Sequence, residues 1–144
     1  MTDPSRRIAD IMLAREGTGP WLGITIDEVR EGYARIRMTV TEKMLNGHGT
    51  IHGGMVFTLA DTAFAYACNS RNLATVAAHA AISFLSPAKA GEILIAEATE
   101  RSLVGRSGTY GVIVQTDDGR IVADFQGLSR SIGGAILPPD DEGQ

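Results

Sequence analysis

The chain has 144 residues, enough for one domain with a substantial core and too few for two. It is 44% hydrophobic and 21% charged, the balance of a folded globular protein rather than a disordered one. Its 13 basic and 17 acidic side chains leave a formal net charge of -4, which argues against a nucleic-acid surface built from clustered Lys and Arg.

At the N-terminus, Met1 to Arg7 leads into no long apolar stretch, so no secretory signal is expected. Pro4 to Arg15 reads as a short amphipathic helix with Ile8, Ile11, Met12 and Arg15 roughly on one side. Gly17, Gly19 and Pro20 end it, so residues 1–20 make a helix and linker. A strand is expected from Leu22 to Val29, then a turn at Arg30 to Gly32. A second strand runs from Tyr33 to Val40, where Ala34, Ile36, Met38 and Val40 alternate with Tyr33, Arg35, Arg37 and Thr39. Thr41 to Ile51, with Gly47 and Gly49, reads as a loop. A long helix follows from Gly53 to Cys68 or Ser70, and sixteen residues give a rod of about 24 Å. Its apolar run is broken by Thr58, Asp61 and Thr62 and is too short to span a bilayer. Four strand segments come next: Leu73 to Leu85, Glu92 to Arg101, Gly108 to Asp117, and Arg120 to Ser131. Asp118-Gly119 supplies the hairpin turn between the last two. Pro138 to Gln144 reads as a polar tail.

This order predicts a single α+β domain over residues 1–144, a mostly antiparallel six-stranded sheet with one long helix. A helix apolar on nearly every side must be buried nearly all round. A small sheet achieves that by curling around it while a second copy covers the rest, so a homo-oligomer is expected. With no membrane span and no basic surface, the expected location is cytoplasmic.

The segment Asn46 to Asn69 carries the chemistry. Gly53-Gly54 at a helix start costs stability but lets an oxygen atom approach the unpaired amides of the first turn, where the helix dipole favours negative charge. A tight turn packed against neighbouring backbone would use the same residues. Asp61, two turns along, has Phe57, Thr58, Phe64 and Ala65 three and four positions away. A carboxylate there bears a large desolvation penalty unless it is bonded or lies in a cleft. Seven residues of helix separate Gly54 from Asp61 by roughly 10 Å, so one carbonyl group cannot readily touch both within one chain. If both act on one bond, the acid comes from one subunit and the helix start from its partner. Asn46 either orients a water or carbonyl or shapes the turn before Gly47. His52 fits a loop-fixing role better than proton transfer, and His48 and His79 complete no metal-ligand spacing. Cys68 is the single cysteine, which excludes an intrachain disulfide and a multi-cysteine zinc site, and it reads as a small buried hydrophobe. No metal is expected, and neither a Gly-x-Ser-x-Gly elbow nor a Walker-type loop occurs.

Met44-Leu45-Asn46-Gly47-His48, His52-Gly53-Gly54 and Leu59 to Ser70 resemble the PaaI-type acyl-CoA thioesterases of phenylacetate degradation, within the hotdog superfamily. Ile82 to Leu85 and Ser131-Ile132-Gly133-Gly134 extend the resemblance over nearly the whole chain. It implies a hotdog fold, a curved sheet wrapped around a central helix, with dimers joined sheet edge to sheet edge and commonly paired into tetramers. It implies that Asp61 is the catalytic carboxylate and that the Gly53 amide, with Gly54 beside it, polarises the thioester carbonyl. Asn46 then helps position the water or acyl group, and His52 precedes the glycine pair. The substrates implied are phenylacetyl-CoA and ring-hydroxylated relatives. Coenzyme A is then part of the substrate, and no cofactor is required. Phe57, Phe64 and Tyr66 are candidates for the acyl pocket or for core, and Arg71, Lys89 and Arg106 for contacts with the coenzyme A phosphates. A hotdog acyl-CoA hydratase or dehydratase using His52, and a non-catalytic acyl-CoA binding module, are the alternatives.

Overall fold

In the computed structural model, which describes residues 3–138, the chain runs α1 (Ser5–Arg15), α2 (Thr18–Leu22), β1 (Thr25–Arg30), β2 (Tyr33–Thr39), a single 3-10 turn (Glu42–Met44), and α3 (Gly53–Cys68). It continues with β3 (Thr75–Phe84), β4 (Ile93–Val104), β5 (Ser107–Thr116) and β6 (Ile121–Ser131). The tail read over Pro138 to Gln144 lies, apart from Pro138, outside the described residues. The fold is a hotdog: one antiparallel sheet in the order β1-β2-β4-β5-β6-β3, with α3 against its inner face.

One expected element is corrected. Residues 17–22 were expected to close a helix, run as linker and start a strand, yet Thr18–Leu22 forms the short helix α2, and β1 begins only at Thr25. Pro20 is tolerated because it is the third residue of that helix, where a backbone N–H has no intrahelical acceptor to lose. Gly23 then stops the helix in the left-handed region, φ 72°, its N–H turned back to the Gly19 and Pro20 carbonyls.

Period-two alternation sorts the sheet into two faces. Ala34, Ile36 and Met38 of β2, Leu94, Ala96 and Ala98 of β4, Tyr110, Val112 and Val114 of β5, and Ala123 and Phe125 of β6 are all buried on the inner face. α3 packs into this concavity through an aromatic cluster. Phe64 meets Tyr110 and Phe125 at centroid distances of 5.3 and 5.8 Å, and Phe57 meets Phe125 edge-on at 5.4 Å. Gly127 makes room for this, since a Cβ there would lie 2.8 Å from the Phe64 ring.

The single chain does not bury α3 all round. Val56, Leu59, Ala60, Ala63, Phe64, Tyr66, Ala67 and Cys68 are buried, whereas Thr58, Asp61, Thr62 and Ala65 are half-buried and Gly54 is exposed. Positions 54, 58, 61, 62 and 65 recur at helical spacing and form one stripe facing away from the sheet.

The two sheet edges differ. β1 is flanked by α1, whose Ser5 hydroxyl donates to the Val29 carbonyl at 3.0 Å. β3, ten residues long, is the other edge, and Val76, Ala77, Ala78, His79 and Ala81 along it are exposed. The β3–β6 register shifts between Ala77 and His79. Beyond that bulge, Ala80 and Ile82 pack on the core and Phe84 reaches Gly53, leaving His79, Ala81 and Ser83 on the outer face.

Gly127→Ala is expected to force the Phe64 ring out of place, lowering stability by about 1–3 kcal/mol and the melting midpoint by roughly 3–10 °C. Thermal unfolding followed by circular dichroism measures this, and an unchanged midpoint would contradict the packing described.

Candidate functional site

Tertiary anchors fix where α3 begins. The loop before it is closed by an antiparallel bridge between Leu45 and Ile51 and by the His52 N–H donating to the Met44 carbonyl at 2.8 Å. Asn46 organises the loop interior: its Oδ1 accepts from the His48 and Thr50 amides at 2.9 and 3.3 Å, and its Nδ2 donates to Thr50 Oγ1 at 3.2 Å. Ile51 in turn donates to the Ala88 carbonyl at 2.8 Å, tying this loop to the one after β3.

His52 is the N-cap. Its Nδ1 accepts from the Gly54 N–H at 2.8 Å, so a neutral imidazole carries its hydrogen on Nε2. The Met55 and Val56 amides reach the His52 carbonyl at 2.9 and 3.3 Å. Three of the first four donors of the helix are therefore occupied. Among the described residues the Gly53 N–H has no acceptor, which leaves it as the open donor at the positive end of a sixteen-residue helix.

That donor faces a cavity of about 400 Å³ lined by Asn46, Gly53, Val56, Phe84, Leu85 and Pro87, among others. The Phe84 ring closes one side so tightly that a Cβ on Gly53 would lie 3.0 Å from it. A second cavity of about 600 Å³ lies between α2 and the start of α3, with Pro20, Trp21, Met44 and Met55 in its wall. Sequence reading passed over Trp21, the sole tryptophan, because its glycine- and proline-rich surroundings resemble a linker.

Asp61 lies on the half-buried stripe of α3, with no hydrogen-bond or ion-pair partner among the described residues. Its threonine neighbours do not hold it. Thr58 Oγ1 donates to the Gly54 carbonyl at 2.8 Å and Thr62 Oγ1 to the Thr58 carbonyl at 2.7 Å. Burial raises the Asp61 pKa above the ordinary value of 3.8. Eight residues along the axis place it about 12 Å from Gly53, and it does not line the Gly53 cavity.

The other sequence-selected residues scatter. Phe64 and Tyr66 are buried to within 1% of complete, Phe64 in the aromatic cluster and Tyr66 with its hydroxyl donating to Glu16 Oε1 at 2.7 Å. Phe57, half-buried, faces Phe125. Arg71 is held by Glu100 at 2.6 Å and Glu31 at 3.1 Å. Lys89 is exposed on the loop tied to Ile51, and Arg106 is exposed in the β4–β5 turn. Burial pushes the Cys68 thiol up to about 12, far from the thiolate a nucleophile needs. No group of three or more His, Cys, Asp or Glu side chains among the described residues could hold a metal ion, and no helix there is long and apolar enough to cross a membrane.

Comparison with known proteins agrees with the fold. The thioesterase superfamily profile matches residues 48–123, which spans the loop, α3 and most of the sheet. The acyl-coenzyme A thioesterase PaaI of Escherichia coli is 46% identical over 128 residues, 89% of this chain and 91% of that protein. The solved structure of the E. coli PaaI protein from the phenylacetic acid degradation operon superposes with a TM-score of 0.89, at 44% identity, over 91% of this chain and 95% of that one. The TT0310 protein from Thermus thermophilus superposes with a TM-score of 0.79 at 36% identity, over 82% of this chain and 99% of its own.

The lone Asp61 has a consequence for stability. Because its folded-state pKa exceeds the unfolded one, the folded chain holds its proton more tightly, and stability falls as pH rises from 3.8 through the folded pKa. Asp61→Asn is therefore expected to melt higher than wild type at neutral pH, the gain vanishing in acid below 3.8. Melting midpoints of both proteins across that range check it, and a wild type that melts higher at pH 7 overturns it.

Proposed function

This chain belongs to the PaaI-type hotdog thioesterase family, and from that membership we propose that it hydrolyses acyl-CoA thioesters to the free acid and coenzyme A. Phenylacetyl-CoA and its ring-hydroxylated relatives are the proposed substrates, and the cytoplasm the proposed location. The observation that carries this reading is the pairing, on one helix, of an open Gly53 amide with an unpartnered, desolvated Asp61.

Because the two groups sit about 12 Å apart on one rod, the site is completed by a second copy. β3 is the natural joint: a ten-residue edge strand with its outer side unpaired adds readily to another strand. Antiparallel pairing of β3 with its own copy extends the sheet across a twofold axis and turns the two α3 helices in opposite directions. The Gly53 end of one helix then approaches Asp61 of the partner subunit, which covers the open stripe. Two such dimers associate as a tetramer.

In this site the thioester oxygen accepts from the Gly53 N–H, which stabilises the negative charge that grows there as the carbonyl carbon becomes tetrahedral. Two routes use Asp61. As general base it takes a proton from water while the water oxygen attacks the carbonyl carbon. As nucleophile it attacks directly, and water then cleaves the resulting mixed anhydride. In either route the carbon–sulfur bond breaks and the thiolate leaves to be protonated. Burial makes the carboxylate a stronger base than an exposed aspartate, provided the pH is high enough to ionise it. His52 gives its Nδ1 to the Gly54 amide and keeps only Nε2 for a proton, which leaves a hydratase as the second reading. Its cap supports hydrolysis instead by orienting the first turn.

Free-thiol release from a panel of acyl-CoA thioesters tests the reading. Turnover is expected, with Asp61→Ala and Asp61→Asn reducing kcat at least a hundredfold while both variants remain folded; full activity in either removes Asp61 from the chemistry. The acid limb of kcat/KM is expected above pH 3.8, because the group that must ionise is harder to ionise than a free aspartate. Single-turnover hydrolysis in heavy-oxygen water separates the routes, since only the anhydride route labels Asp61.

A further inference from the structure

Among the described residues, a single buried side-chain polar atom has no hydrogen-bond partner: Oδ1 of Asp124. A carboxylate oxygen buried without a donor is costly, which points to a donor that one chain does not supply. Asp124 lies on the outer face of β6, registered between Ser83 of β3 and Ile113 of β5, and it is the only acid on those three strands. Arg101, on the same face, lays its guanidinium over Gly111 instead and forms no ion pair with Asp124. Beside Asp124 a hollow of about 400 Å³ opens along the free edge of β3, walled by Ala81, Ser83, Leu85 and Gln126. The Ser83 hydroxyl and the His79 imidazole are exposed on that edge, and neither makes a hydrogen bond among the described residues.

We propose that His79 of the partner subunit enters this hollow and donates a ring N–H to Asp124 across Ser83, so that two symmetric contacts lock the register of the β3 joint. This rests on the dimer of the hydrolytic reading above. The bulge selects the register. Ala77 faces Ser129 and His79 faces Leu128, so Ala78 is the extra residue. Ala77 therefore belongs to the inner face, and His79, Ala81 and Ser83 to the outer one. When a strand pairs with its own copy about a twofold axis, residues equally far from the axis face each other. Facing residues also share a face of the sheet. An axis at His79 sets Ala81 against Ala77, and an axis at Ala80 sets Ser83 against Ala77, so both mix faces. An axis at Ile82 matches faces only from Ala80 to Phe84 within β3, whereas an axis at Ala81 pairs the longer run from Ala78 to Phe84. It also puts a small side chain where the two copies meet. His79 of the partner subunit then faces Ser83.

Both partners of the lock stand on the outer face, so their separation lies in the sheet plane. Two strand spacings put their Cα atoms roughly 10 Å apart. At ordinary bond lengths an imidazole Nε2 reaches about 4.5 Å from its Cα and a carboxylate oxygen about 3.5 Å. A hydrogen bond of about 2.8 Å closes the remainder when both lean over the small Ser83. Moving the axis by one residue would slide the partner subunit by two, roughly 7 Å, and part the Gly53 amide from Asp61 of the partner subunit. His79 and Asp124 are thus positioning residues for a site completed across the joint.

Sedimentation of the full chain over a dilution series measures dimer dissociation without reference to turnover. A hydrogen bond to a charged group is worth about tenfold or more and each dimer holds two, so His79→Ala and Asp124→Leu should each weaken association about a hundredfold. The double variant should be no weaker than either single one, because both remove the same contacts. Exchanging the pair, His79→Asp with Asp124→His, should restore association. An unchanged constant in His79→Ala, or additive losses in the double variant, overturns the lock; His79 is exposed, so its removal leaves the folded chain intact. Oxidative cross-linking reads the register itself, since facing residues on antiparallel neighbours have Cα atoms about 4.5–5.5 Å apart, within disulfide reach. Ala81→Cys should give a covalent dimer and His79→Cys none, and any other pattern overturns the register. A locked dimer that releases no thiol would defeat the hydrolytic reading alone. Thiol release by a dimer indifferent to His79 would defeat the lock alone.

Discussion

The seating of α3 in the concave sheet is the constraint on which everything else rests. Phe64, Phe57, Tyr110 and Phe125 lock one side of the helix to the strands, and Gly127 supplies the space they need. With that side committed, helical periodicity leaves a single open stripe, and the stripe carries the only acid on the helix. Burial of the apolar side thus also determines the direction in which Asp61 points. The same packing sets the helix start against Phe84 and the loop before it, so the open Gly53 amide is positioned by core contacts rather than by the flexibility of a glycine pair.

Electrostatics divides the molecule in a complementary way. Where β1, β2 and β4 form the outer face, charges are consumed internally: Arg37 holds the Asp27 carboxyl below its ordinary range, and Tyr33 donates to Glu97 beside Arg35. Tyr110 and Arg71 similarly bind Glu100, which stays below the usual carboxylate range chiefly because of the Arg71 hydrogen bond. These contacts stiffen the sheet and leave nothing for a ligand. Asp61 on the helix is left without a hydrogen-bond or ion-pair partner among the described residues, so the proposed chemistry draws on a group the fold has not neutralised.

Much of this was legible in the sequence because it depends on local pattern. Alternation at Tyr33 to Val40 marked β2, Asp118-Gly119 marked the β5–β6 turn, and the apolar run from Gly53 marked the start of α3 and put its end at Cys68 or Ser70, the first of which the helix adopts. Other features were hidden because they depend on contacts between distant segments. α2 could not be read from Thr18 to Leu22, since glycine and proline disfavour helix intrinsically and a five-residue helix is held by its surroundings. Phe64 and Tyr66 could not be sorted from pocket residues until the strands around them were placed. Nor did the spacing of His52 and Gly54 reveal that the imidazole would occupy one of two adjacent amides and leave the other open. Arg71 looked like any surface cation until Glu100, twenty-nine positions away in the chain, was brought to it.

The bulge between Ala77 and His79 works as a phase-setter for the rest of its strand. It determines that Phe84 turns inward to Gly53 while Ser83 turns out, although nothing in the side chains of either residue demands it. The stretch from the bulge to Phe84 is consequently intolerant of changes in length, even though His79, Ala81 and Ser83 along its outer face are exposed. One residue gained or lost after the bulge would invert the two faces, withdraw the ring from the amide and turn a polar hydroxyl toward it. Drift in amino-acid identity along β3 is compatible with the site, whereas drift in count is not.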